Sequence, residues 1–102
     1  MPELTRVASL SDVPAGSLKS AYAKGQPLVL ANVDGTICAL EDRCSHEEFP
    51  LSDGELDGSD LICMHHGARF DACSGRNKGL PAVRPVKSFR VEIRDGEIFV
   101  EV

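Results

Sequence analysis

Two short clusters in this chain hold side chains that bind soft metals: Cys44-x-His46, and the run Cys63-Met64-His65-His66, which is followed by Gly67. Both lie in the stretch EDRCSHEEFPLSDGELDGSDLICMHHGARF, which carries all three histidines and two of the four cysteines. A thiolate and an imidazole on each limb suit zinc or an iron–sulfur centre. Magnesium and calcium prefer oxygen ligands. Zinc sites built from two Cys and two His usually keep the cysteines on one limb and the histidines on the other. Here each limb is mixed. Mixed limbs suit a two-iron cluster in which one iron takes both cysteines and the other both histidines. Each limb would then reach across the cluster and hold both irons. The adjacent pair His65 and His66 leaves open which of the two is the ligand.

Around these limbs the pattern is β throughout. Leu4–Ala8 and Leu18–Ala23 are candidate strands, separated by the turn-like SDVPAGS, with KGQP closing the second. Leu28–Val33 is apolar on both faces, as a buried strand is. Asp34-Gly35 is a two-residue hairpin signal, and Thr36–Leu40 is the returning strand. In KSFRVEIRDGEIFVEV, Phe89, Val91 and Ile93 alternate with polar residues, Asp95-Gly96 turns the chain, and Ile98, Val100 and Val102 continue the alternation. Between the two hairpins lies a glycine- and proline-rich region with short strand candidates at Leu61–Cys63 and Ala68–Asp71. The expected fold is all-β: a single domain over residues 1–102, with an antiparallel β-sandwich scaffold and an inserted, loop-rich metal-binding subdomain over about residues 42–85.

Composition narrows the function. A chain of 102 residues is one domain by length, and 42% apolar with 26% charged residues is ordinary for a globular protein. The net charge of −5 argues against nucleic acid, which needs a basic patch. An acidic surface suits a partner with a basic face, or solubility alone. The stretch MPELTRVASLSDVP has no apolar core of a secretory signal, and the longest apolar run, PLVLANV, is too short to cross a membrane. The expected location is the cytoplasm, where thiols stay reduced. Cys38, in TICAL, then reads as a small buried hydrophobe, and Cys73, in DACSG, as a separate thiol with no disulfide. The carboxylates of EEF and DGELDGSD read as solvated loop charge, and the glycines as turn positions with positive φ. No other group looks catalytic.

The residues CSH and CMHHG, in this order and spacing, resemble the two cluster loops of Rieske proteins. DVPAG, VDG, LSDGELDGSDLIC, GARFDACSG, LPAV and VEIRDGEIFVEV extend the resemblance over nearly the whole chain, most closely to ferredoxin components of aromatic-ring-hydroxylating dioxygenase systems. The resemblance implies one [2Fe-2S] cluster with Cys44 and Cys63 as thiolate ligands and His46 and His66 as imidazole ligands. It places His65 at a variable position. It implies an electron carrier, not an enzyme, taking electrons from an NADH-dependent flavoprotein reductase and passing them to a terminal oxygenase. Docking is expected near His46 and His66, with Glu47, Glu48, Phe49, Pro50 and His65 around them, and the expected state is a monomer.

Departures from the family pattern sharpen this. High-potential respiratory members carry an extra cysteine in each loop, where this chain has Phe49 and His65, and hydroxyl residues where it has Ala68 and Phe70. Hydrogen bonds to cluster or ligand sulfur raise the potential, so their absence implies a low-potential ferredoxin. Met64 stands where many members have proline, implying a less rigid loop with unchanged ligands. The rival readings are a small Rieske subunit of another oxidoreductase, such as a nitrite reductase, and a structural zinc domain.

Overall fold

The run PLVLANV is apolar on both faces because it forms a strand that two cores share. The computed structural model describes residues 3–43, 50–64, 67–78 and 84–102, and in it this strand is β3 (Gln26–Val33). Its antiparallel neighbours are β2 (Leu18–Ala23) and β4 (Thr36–Glu41). Two-residue turns at Lys24-Gly25 and Asp34-Gly35 join the three, with all four residues at positive φ. Such turns match the right-handed twist of paired strands. The second turn is the expected one. The first is another of the same kind, within KGQP.

Alternation along β3 sends Leu28 and Leu30 to one side, with Ala21, Ala23, Ile37 and Ala39, and sends Val29 and Ala31 to the other, with Leu40. A second sheet covers the first side. It has the order β1 (Leu4–Ser9), β10 (Glu97–Glu101), β9 (Val91–Arg94), and it contributes the fully buried Ile98 and Val100. The single strand expected through Arg94 is divided. Ser88–Phe89 (β8) pairs with β4, whereas β9 pairs with β10. The chain changes sheets at Arg90, and Phe89 and Val91 still pack on the same core. The side-chain alternation continues through the crossing while the hydrogen-bonding partner changes.

The other side of β3 and β4 is covered by the region between β4 and β8. It holds a third antiparallel sheet of β5 (Glu55–Asp57), β6 (Asp60–Ile62) and β7 (Arg69–Asp71). Leu51, Leu61, Phe70 and Ala72, all fully buried, pack with Val29, Ala31 and Leu40. β6 and β7 are the strand candidates of the sequence, the first shifted by one residue and the second starting one residue later. β5 arises in the acidic stretch read as loop. Among the described residues no helix is long and apolar enough to cross a membrane.

The expectation that Cys38 and Cys73 are separate thiols is overturned. Cys38 is buried, as its apolar strand predicts, but it is joined to Cys73 by a disulfide. Alternation in β4 turns Cys38 to the side of Leu40, facing the third sheet, and the turn after β7 brings Cys73 there. Their Cα atoms lie 4.9 Å apart, within the span of a disulfide. The bond joins residues separated by 35 positions. Closing a loop of that length stabilises the fold by roughly 4 kcal/mol in the chain-entropy account.

Asn32 ties the middle layer to the chain around it. Its Nδ2 donates to the Val13 carbonyl at 2.7 Å, and its Oδ1 accepts from the Gly35 N–H at 2.7 Å. It is the one buried polar residue among those described. Asn32→Leu strands the carbonyl of the fully buried Val13, so urea denaturation should show a loss of about 2 kcal/mol. A loss under about 0.5 kcal/mol would mean that water reaches this carbonyl.

Candidate metal centre

Of the four expected ligands, Cys63 lies within the described residues. Cys44, His46 and His66 lie outside them, as do Glu47, Glu48, Phe49 and His65. The structure does show how the base of each limb is held.

The first limb leaves β4 at Glu41. The Glu41 N–H donates to the Lys87 carbonyl at 2.8 Å, and the Asp42 N–H donates to the Pro27 carbonyl at 3.1 Å. The Asp42 carboxylate then accepts twice from Ser52: from its N–H at Oδ1 and from its hydroxyl at Oδ2, each at 2.7 Å. The chain entering the limb is thus fastened to the chain leaving it. Leu51 opens a single 3-10 turn (Leu51–Asp53) and is fully buried, which anchors the exit. Pro50 is exposed. Gly54 follows with φ at −86°, so positive φ is not its reason, contrary to the sequence reading. A Cβ built there would overlap the Ile62 carbonyl oxygen. Glycine is required because two backbones touch.

At the base of the second limb the Cys63 N–H donates to the Ala68 carbonyl at 2.7 Å. Cys63 is 1% exposed and packs in the core with Leu61, Ala68 and Phe70, whereas its neighbour Met64 is 59% exposed. The limb therefore passes from core to surface in one residue. A thiolate in such apolar surroundings needs a positive partner, and bound metal supplies one. Cys63 fits the role of a shielded soft ligand. Among the described residues no three His, Cys, Asp or Glu gather into a site. Ala68 and Phe70, fully buried beside Cys63, bring no hydroxyl to this core.

Charge in the third sheet is organised, which corrects the reading of Asp60 as solvated loop charge. Asp60 and Asp71 stand opposite each other on β6 and β7, a placement that repels. Lys78 and Arg69 both bind the Asp60 carboxylate, Arg69 at 3.2 Å. The hydrogen bond from Lys78 is the first reason that the Asp60 carboxyl is held below its ordinary value, with Arg69 adding to it. Asp71 is held low chiefly by the N–H of Ser74, at 2.7 Å, and then by its hydroxyl. Lys78 reaches Asp60 because the segment after Gly75 runs back along β7: the Asp71 N–H donates to the Arg76 carbonyl and the Lys78 N–H to the Arg69 carbonyl, each at 2.8 Å.

Both carboxyls have folded-state pKa values below their unfolded ones. Their stabilisation is complete above the ordinary value of 3.8 and is lost as pH falls through the lowered values. Urea denaturation should give lower stability at about pH 3 than at about pH 7, and Asp60→Asn should shrink that difference. An undiminished difference in the variant would remove Asp60 from this account.

The Rieske [2Fe-2S] domain family matches residues 3–90. The ferredoxin component of biphenyl 2,3-dioxygenase from Rhodococcus jostii (strain RHA1) is 31% identical over 99 residues, covering 97% of this chain and 92% of that one. The ferredoxin of Sphingomonas yanoikuyae B1 superposes with a TM-score of 0.92 at 30% identity, covering 98% of this chain and 99% of that one. A chain in the complex of reduced oxygenase and oxidised ferredoxin of carbazole 1,9a-dioxygenase superposes with a TM-score of 0.90 at 33% identity, covering 96% and 92%. A family match over residues 3–90, joined to a relative 31% identical over 97% of the chain, places the chain: it belongs to the Rieske [2Fe-2S] domain family.

Proposed function

We propose that this protein is a low-potential Rieske ferredoxin that carries single electrons from an NADH-dependent flavoprotein reductase to a terminal ring-hydroxylating oxygenase. The observation that carries the reading is the end-to-end match to ferredoxin components of dioxygenase systems. A match of that kind makes the chain an electron carrier rather than a catalyst. One related chain comes from a complex of a ferredoxin with an oxygenase, which supports an oxygenase as the acceptor.

In this reading one [2Fe-2S] cluster sits in a subdomain of about residues 42–85 within a single domain. Cys44 and Cys63 hold one iron, and His46 and His66 the other. The cluster, when bound, supplies a site that takes up and gives back one electron, at a potential above that of an all-cysteine cluster because imidazoles are neutral. The chain does the rest. Cys63 keeps its sulfur away from water in the core of Leu61, Ala68 and Phe70. The Asp42–Ser52 and Cys63–Ala68 hydrogen bonds fix the two limb bases. Met64, exposed next to Cys63, and Pro50, exposed at the exit of the first limb, are available to the expected docking face. The net charge of −5 suits a basic partner surface.

Metal analysis should give about two irons and two acid-labile sulfides per chain, whereas a single zinc in a colourless protein would end the Rieske reading. His65→Ala should keep the irons and His66→Ala should lose them; the reverse would exchange the two histidines. Redox titration should give a midpoint on the order of −150 mV, with Ala68→Ser shifting it upward through a new hydrogen bond to sulfur. A clearly positive midpoint in the unaltered protein would contradict the low-potential assignment.

A further inference from the structure

The Cys38–Cys73 disulfide links two layers of the fold, and its two ends differ in access. Cys38 is 8% exposed in β4, and Cys73 is exposed in the turn after β7. The residues it encloses include Cys44, His46, Cys63 and His66, every ligand of the proposed cluster. Beyond Cys73 the chain is held by contacts that do not involve the disulfide: the Gly75 N–H donates to the Asp71 carbonyl at 2.8 Å, the Val86 N–H donates to the Gly75 carbonyl at 2.9 Å, and Lys78 binds the Asp60 carboxylate. None of these contacts passes through the disulfide, so they can hold the third sheet when that bond opens.

We propose that Cys38–Cys73 is a thiol-responsive staple over the cluster-bearing loop, closed by small disulfides of the glutathione class and opened by the corresponding thiols. The inference rests on the cluster reading above. Opening begins at the accessible sulfur, since thiol–disulfide exchange depends on access. A small thiolate attacks Cys73 Sγ, forms a mixed disulfide there, and releases Cys38 as a thiolate that takes up a proton. A second small thiol then resolves the mixed disulfide. The net change is one protein disulfide and two small thiols converted into two protein thiols and one small disulfide, and closure is the reverse. When closed, the staple restricts how far the two limbs can part, and so slows loss of the metal they hold.

The first test is independent of the cluster. Purified protein is unfolded in the presence of N-ethylmaleimide and digested, and mass spectrometry should find the Cys38 and Cys73 peptides linked. Both peptides fully alkylated in protein never exposed to a reductant would overturn the staple. In the Cys38→Ala variant, oxidised glutathione should add to Cys73, and failure to add would overturn the proposed point of attack.

The second test follows bleaching of the visible absorbance under an iron chelator. The Cys38→Ala/Cys73→Ser double variant should lose its colour roughly tenfold faster than the disulfide-bonded protein, as expected if opening the loop costs less without the cross-link. Equal rates would overturn the protective role. If neither protein contains iron, the cluster reading fails and the protective role fails with it, whereas a linked peptide alongside equal bleaching rates removes only the staple's role and leaves the cluster reading standing.

Discussion

The structure depends on burying both faces of β3 and β4. A strand with one wet face needs only alternate apolar residues, but these two are covered by a sheet on each side. Leu28, Leu30, Ile37 and Ala39 turn toward β1, β9 and β10, while Val29, Ala31 and Leu40 turn toward the third sheet. The first contact makes the sandwich. The second gives the inserted region a floor to fold against, because its three strands are only three residues long each and could not bury enough surface alone. A break in the middle layer would therefore reach both the scaffold and the metal centre.

On that floor the inserted region is built from close backbone contacts rather than from bulk. Gly54 lets one limb's exit touch the carbonyl of Ile62, and Gly75 does the same at Val86, where a Cβ would overlap the carbonyl oxygen. The limb bases are set by short hydrogen bonds, two from Ser52 to Asp42 and one from Cys63 to Ala68. Such a frame holds the bases of both limbs firmly, and in the second limb the chain passes from the buried Cys63 to the exposed Met64 in one residue. The charge pattern serves the same purpose. Asp60 and Asp71 would repel across β6 and β7, and Lys78, Arg69 and Ser74 offset that repulsion within the sheet. The acidic stretch therefore contributes to structure as well as to solubility.

Much of this was legible in the sequence where the signal is local. The paired Cys and His clusters, the Asp-Gly turns and the period-two alternation each depend on neighbours a few positions apart, and the hairpins and the inward Ile98 and Val100 follow directly. The mixed limbs pointed to a two-iron cluster by donor chemistry, and the family match agrees with it. β5 was missed because it is three residues long with two of them acidic, too short for its alternation to stand out.

The features that needed the tertiary structure join residues that sequence spacing cannot relate. Cys38 and Cys73 are 35 positions apart, and only the layering of β4 beneath the third sheet shows that their side chains meet. The division of one alternating run at Arg90 is invisible to periodicity, because both halves face the same core while pairing with different strands. Asn32 serves Val13 and Gly35 together only because the β3–β4 turn folds back over the preceding chain. Spacing along the chain determined the donor chemistry and the β pattern, since both are set by what each residue is and by its near neighbours. The three-dimensional path decided which distant residues share a face, a bond or a charge, since those depend on where the chain returns.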